Sequence, residues 1–316
     1  MQKIKTAIFI ITGFIFLGVF LFVFLPDHNQ SGLKSVEAIA SVNQEKLKNT
    51  VAALENVTIK DVPKEAVEKN ENSITEEIKA KVREVVEGTL DLFIKEHRIV
   101  AIGDSLTEGV GDESKNGGYV GILNNTFEDN NLNITVDNFG KKGNRSDQLL
   151  KRLEKKDIVA AIEKADIVLV TIGANDIMKV LKSNFMNVTL DLFEKEKVEY
   201  SKRLTAIMDK INEINPETQV YLIGFYNPFE RHFGEIKELG MIIDNWNDTG
   251  KSLTEEYENV RYIPTIDLFS QSTMDLLADD EFHPNITGYK RMAQRVLEYI
   301  KDSKEDTKMT NAVIDS

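Results

Sequence analysis

The chain has 316 residues, 41% of them hydrophobic and 29% charged, and a formal net charge of −13. The acidic balance excludes nucleic acid as a general partner, because binding a phosphate backbone needs a basic footprint. The absence of cysteine excludes thiol catalysis, cysteine-ligated zinc, disulfides and the lipid-attachment site of a bacterial lipoprotein.

Thr6 to Leu25, TAIFIITGFIFLGVFLFVFL, carries no charge. It is long enough to cross about 30 Å of hydrocarbon as a helix. Lys3 and Lys5 precede it and Asp27 follows, so the positive-inside rule leaves the N-terminus in the cytoplasm and the rest of the chain outside. The rival reading is a cleaved signal peptide and a secreted protein. Such a peptide has a shorter apolar core, about 7–15 residues, and a small-x-small cleavage site. Here bulky Phe and Leu continue up to Pro26. Residues 1–26 are therefore expected to form the anchor of a single-pass membrane protein.

Residues 27–96 have a different composition, rich in Glu, Lys, Asn and Val. Ser73 and Glu76 form a capping box. Behind them Ile74, Ile78, Val82, Val86, Leu90 and Phe93 recur at helical spacing. A weaker helix can be drawn through Val42, Leu47, Val51 and Leu54. A solvated helical stalk between membrane and enzyme accounts for this stretch better than a coiled-coil interaction segment, because the apolar stripe is short.

From His97 strands alternate with helices. RIVAIG ends the first strand at Gly103, and ITVDNFG, Ile134 to Gly140, is the second. A helix follows through Leu149, Leu150 and Leu153. ADIVLVTIG, Ala165 to Gly173, is the third strand and the most apolar. A long amphipathic helix covers Leu190 to Ile214. TQVYLIGF, Thr218 to Phe225, is the fourth strand, and a helix runs from about Met241 to Tyr257. VRYIPT, Val260 to Thr265, is the fifth strand, and the last helix spans about Ile286 to Ile300. Apolar strands separated by helices predict a five-stranded parallel sheet covered on both faces. This domain is expected over 97–303, followed by a polar tail over 304–316.

Sites in such sheets form at the carboxyl ends of the strands. There the sequence places Asp104 and Ser105, then Gly140 to Gly143, then Gly173 to Asp176, and finally Asp280 and His283 ahead of the last helix. A serine hydroxyl needs a base within reach, and the base needs an orienting partner. Of the four histidines, His28 adjoins the apolar segment, His97 opens the first strand at the wrong edge, and His232 lies in a loop after Asn227-Pro228. His283 stands at the correct edge, with Asp280 three residues earlier to fix its tautomer. Attack on an ester carbonyl creates an alkoxide that aimed N–H donors must hold. The N–H of Ser105, the N–H of Gly143 and the side-chain amide of Asn175 are the candidate donors. Singly, these fragments are also common turn sequences.

Together they resemble the GDSL, or SGNH, hydrolases. IGDSLTEG resembles that family's first block, with Ser105 as nucleophile. NFGKKGNRS resembles the second, at Gly143, with Gly140 as the alternative. Gly173-Ala174-Asn175-Asp176 resembles the third, and Asp280-Glu281-Phe282-His283-Pro284 the last. All four occur in family order over about two thirds of the chain. The resemblance implies a three-layer α/β/α, flavodoxin-like fold and ester hydrolysis through an acyl-enzyme, without metal or organic cofactor. An α/β-hydrolase is a poorer match, since it wants G-x-S-x-G and a well-separated acid and histidine.

The expected protein is a membrane-anchored extracytoplasmic serine esterase. Its substrates would be membrane lipid or lysophospholipid esters, or O-acyl groups on envelope glycans. Two other readings use the same residues: an inactive binding or scaffold module, and an O-acyltransferase. Val180 to Phe193 and Phe225 to Phe233 are apolar enough to line an acyl pocket or form a lid.

Overall fold

The computed structural model describes residues 96–184, 189–270, 272 and 274–314. The expected anchor and all of the stalk before Glu96 lie outside the described residues. No described helix is long and apolar enough to cross a membrane.

The elements follow in the order β1 (His97–Gly103), α1 (Ser105–Glu108), α2 (Gly118–Asp129), β2 (Ile134–Gly140), α3 (Ser146–Arg152), α4 (Lys156–Ile162), β3 (Ile167–Thr171), α5 (Ala174–Ser183), α6 (Leu190–Ile214), β4 (Gln219–Ile223), α7 (Glu230–Phe233), α8 (Lys237–Thr254), β5 (Val260–Ile263), α9 (Ile266–Ser270) and α10 (Ile286–Ile314). The strands form one parallel sheet in the order β2-β1-β3-β4-β5, as expected for a flavodoxin-like arrangement. Strand order reverses between β1 and β3, which is where a crevice opens in such sheets.

Each central strand is buried on both faces, and alternation assigns its residues to two cores. Val100, Ile102, Val168, Val170, Val220 and Leu222 face Leu149, Ile162, Leu204, Met208 and Trp246. Ile99, Ala101, Leu169, Tyr221 and Ile223 face Tyr119, Leu123, Phe127, Met292 and Val296 on α2 and α10. Burying a large aliphatic or aromatic side chain contributes about 1.5–3 kcal/mol, so these two layers dominate the stability of the domain.

Two expectations change. α10 runs on to Ile314, so helical backbone occupies most of the segment expected as a polar tail. Its Lys, Glu, Met and Ala residues are good helix formers and no Gly or Pro interrupts them. The apolar stripe ends near Ile300, which is why periodicity places the helix end there. α2, between β1 and β2, is not among the expected elements, and Gly117, Gly118 and Gly121 give it a start of poor helix propensity. Burial of Tyr119, Val120, Leu123 and Phe127 outweighs the poor propensity of that start.

Candidate active site

Pairing in the sheet sets the level of the site. Gly103 lies opposite Gly140 on one side and Thr171 on the other, so the loops after β1, β2 and β3 leave the sheet at one height. The first turns directly into α1. Asp104 caps that helix, its Oδ1 accepting from Leu106 N at 3.0 Å and from Thr171 Oγ1 at 3.1 Å. Thr171 also meets Thr107 Oγ1 at 2.7 Å. Ser105, between these fixed neighbours, is buried, with only 5% exposure.

His283 arrives from the opposite end of the chain. Its loop is closed by Ala278 N donating to His283 O at 2.8 Å and Glu281 N donating to Ala278 O at 2.9 Å. Asp280 Oδ1 accepts from the backbone N–H groups of Phe282 at 3.0 Å and His283 at 2.9 Å. Its Oδ2 lies 2.5 Å from His283 Nδ1. His283 Nε2 in turn lies 2.9 Å from Ser105 Oγ. The expected nucleophile, base and acid are thus brought into one hydrogen-bonded line. Burial pushes the Asp280 carboxyl upward, but its bond to His283, the imidazole's charge and the two backbone N–H groups hold it below the usual carboxylate range. It stays ionised and can fix the imidazole with Nδ1 protonated. His97 stands at the other end of β1, 3.4 Å from Asp166, as its position predicts.

The loop Lys141–Arg145 supplies the next candidate. Gly143 adopts φ +76°, and a Cβ there would meet no atom within 4 Å. Its N–H has no acceptor among the described residues, and neither has that of Ser105. Gly140, the alternative, differs on both counts. Its N–H donates to Asn138 Oδ1 at 2.8 Å, and a Cβ would fall 2.1 Å from Glu108 N. Gly143 is therefore the donor free to meet a ligand. Asn175 Nδ2 donates to the Asn144 carbonyl at 3.0 Å, leaving its second amide hydrogen available. That bond ties the β2 and β3 loops together.

A narrow apolar cleft opens beside Ser105 and encloses about 450 Å³, including its open mouth. Ile177 and Met178 of α5, Phe225 and Phe229 after β4, Ile243 of α8 and Phe282 line it. The expected contribution from Phe225 to Phe233 is present. That from Val180 to Phe193 is not, among the described residues: Val180, Leu181 and Phe193 belong to the core, and residues 185–188 lie outside the described set. The preceding turn of α5 lines the cleft instead.

Sequence reasoning passes over three groups. Arg152 donates to Asn144 Oδ1 at 2.9 Å, Gly103 O at 3.2 Å and Phe139 O at 2.6 Å, bracing the Gly143 loop from behind. Burial lowers its pKa. Buried Asp104 has its carboxyl pushed up to about 6, chiefly by desolvation. Asp176 and Ser146 form a third buried polar contact, at 2.9 and 2.7 Å. Asp104 and Asp176 adjoin expected site residues, so adjacency was the available signal. Nothing in one sequence marks Arg152.

Residues 101–291 match the GDSL-like lipase/acylhydrolase family. The chain is 38% identical over 212 residues to the Bacillus subtilis protein YpmR, covering 66% of this chain and 83% of that one. It is 28% identical over 210 residues to the spore germination lipase LipC of Bacillus licheniformis, covering 62% and 92%. Among solved structures, the lipase Lip_vut3 from a goat rumen metagenome superposes with a TM-score of 0.57 at 27% identity, covering 63% of this chain and 95% of that one.

Proposed function

The chain belongs to the GDSL-like lipase/acylhydrolase family and is a carboxylic ester hydrolase; from that premise we propose that Ser105, His283 and Asp280 perform the hydrolysis as a triad. The observation that carries this reading is the line from Ser105 Oγ through His283, 2.9 Å at one ring nitrogen and 2.5 Å at the other.

Ser105 Oγ attacks the acyl carbonyl as its proton passes to His283 Nε2. Asp280 holds the ring in place and stabilises the imidazolium that forms. The tetrahedral oxyanion lies against the Ser105 and Gly143 N–H groups and the Asn175 amide, donors already in position before charge develops. Collapse breaks the ester C–O bond, and the leaving alcohol takes the proton from Nε2. Water then attacks the acyl-enzyme with His283 as base, releasing the acid and restoring Ser105.

The substrate is an ester with a hydrocarbon acyl chain, of the lipid or lysophospholipid type. The cleft beside Ser105 supports this over an acetylated glycan, since an acetyl group would leave its apolar walls in contact with water. Similarity to proteins described as lipases points the same way. The uncharged run Thr6–Leu25 behind Lys3 and Lys5 supports a domain tethered outside the cytoplasmic membrane by residues 27–96, within reach of lipid.

The test compares the purified full-length chain with Ser105→Ala on p-nitrophenyl acetate, octanoate and palmitate, and on lysophosphatidylcholine. Expected are hydrolysis lost in the variant, fluorophosphonate labelling of Ser105, and preference for octanoate over acetate. Equal inertness of both proteins, without labelling, would return the binding-module reading. An added alcohol acceptor tests for acyl transfer. External protease cleaving the stalk of intact cells checks the orientation.

A further inference from the structure

Ser146, Asp176 and Arg203 form a closed polar cluster behind the two loops that present Gly143 and Asn175. Asp176 Oδ2 accepts from Ser146 N at 2.9 Å. Its Oδ1 accepts from Ser146 Oγ at 2.7 Å and from Arg203 Nη2 at 3.1 Å. Arg203 Nε donates to Ser146 Oγ at 2.7 Å, and Nη2 also reaches Glu196 Oε1 at 2.7 Å. Ser146 and Asp176 are fully buried, with 0% and 1% exposure.

None of the three takes part in the cycle above, yet Asp176 and Ser146 stand close in sequence to residues that do. Asp176 follows Asn175 directly. Ser146 lies three residues after Gly143 and two after Asn144, whose carbonyl receives the Asn175 amide. The β2 and β3 loops are therefore joined at two levels, once at Asn144–Asn175 and once at Ser146–Asp176. Arg203 closes the second join from α6. A buried ion pair is weak as a source of stability, because apolar residues of equal volume often serve as well or better. What it fixes well is geometry, and an arginine fork fixes it in two directions at once.

We propose that Arg203 is a positioning residue for ester hydrolysis: acting through Ser146 and Asp176, it holds the Gly143 loop and Asn175 at the separation the oxyanion requires. The inference rests on the donor roles proposed above for Gly143 and Asn175. Its signature follows from when those donors act. The oxyanion develops as the tetrahedral intermediate forms and is absent from the bound ester, so a loosened donor pair lowers kcat and leaves KM in place. A small displacement of aligned groups costs about 10-fold or more in rate. Lysine supplies the charge at one point and lacks the planar fork that fixes direction, so it restores only part of the loss.

The experiment measures kcat and KM for p-nitrophenyl octanoate on the full-length chain and its Arg203→Met, Arg203→Lys, Ser146→Ala and Ser105→Ala variants. Rates are expressed per active site titrated with a fluorophosphonate, and per mole of protein for Ser105→Ala, which has no hydroxyl to label. Expected for Arg203→Met is a kcat lower by about 10-fold at unchanged KM, with Arg203→Lys between it and the parent. A kcat within twofold of the parent, or a change confined to KM, overturns the proposal even where the melting temperature falls. If Arg203→Met does not fold, Ser146→Ala decides on the same criterion. Activity retained in Ser105→Ala would strike the underlying assignment of the triad; loss there with full turnover in Arg203→Met strikes the positioning role alone.

Discussion

Tyr226 Oη donates a 2.6 Å hydrogen bond to the carbonyl of Phe282, the residue before His283. Tyr226 lies just beyond β4, and its ring stacks on Phe269 at 4.0 Å. The wall of the cleft thus holds the loop that carries the base. Tyr226→Phe keeps the ring and removes one bond, leaving the Phe282 carbonyl without that partner. A loss of about 1–2 kcal/mol of stability is expected, together with a several-fold lower kcat as His283 gains freedom relative to Ser105. Denaturant melts and steady-state rates on one ester check both; an unchanged kcat would mean that Asp280 alone fixes the loop.

Asp280→Asn separates loop geometry from proton chemistry. The side-chain oxygen of Asn can still accept from Phe282 and His283 N–H, as Oδ1 does here. Its amide then faces His283 Nδ1 with a donor where an acceptor is needed. The imidazole turns to the tautomer with Nε2 protonated and cannot take the Ser105 proton. A kcat lower by about 10⁴-fold is expected, with a melting temperature close to the parent's. A loss below tenfold would remove Asp280 from the triad.

The sheet is legible in the sequence because each strand is an apolar run ending at Gly or a turn former. The site is legible because Ser105, Gly143 and Asn175 each follow such a run, parallel strands must bring those ends to one edge, and His283 stands just ahead of the last helix at that same edge. The acyl cleft is less so. Ile177, Met178 and Ile243 are ordinary apolar positions on helices, and only the packing of α5 against the segment after β4 turns them into a wall. Arg203 is hidden for a different reason. It stands in EKEKVEYSKR, which reads as a solvated charged face, and its partner Ser146 is 57 residues away.

The cleft assignment makes a prediction about chain length. Met178 lines the cleft and is 7% exposed, so Met178→Trp projects a larger ring into the space beside Ser105. Octanoate and palmitate esters should lose about tenfold in kcat/KM, the order of one or two lost methylene contacts, while the acetate ester is affected little. Ratios measured on the three p-nitrophenyl esters decide it. An unchanged ratio of octanoate to acetate would place the acyl chain elsewhere.

Asp104 offers a test of what the site costs the fold. Its carboxyl is pushed from 3.8 to about 6 by burial, against the pull of Leu106 N–H, Thr171 and the charge of His283. Between those two values the unfolded chain has released this proton and the folded chain retains it. Stability therefore falls as pH rises through that window and stays reduced above it, on the order of 2–3 kcal/mol. Asp104→Asn keeps Oδ1 as acceptor for Leu106 and Thr171 and carries no charge to desolvate. It should melt at a higher temperature than the parent at pH 7–8, with the gain shrinking as pH approaches 4. The same change removes an anion that favours the imidazolium of His283, so turnover at neutral pH should drop. Melts across pH 4–8 beside kcat at pH 7.5 read both effects. A stability gain that does not vary with pH would show that Asp104 does not carry a desolvated charge in the folded protein.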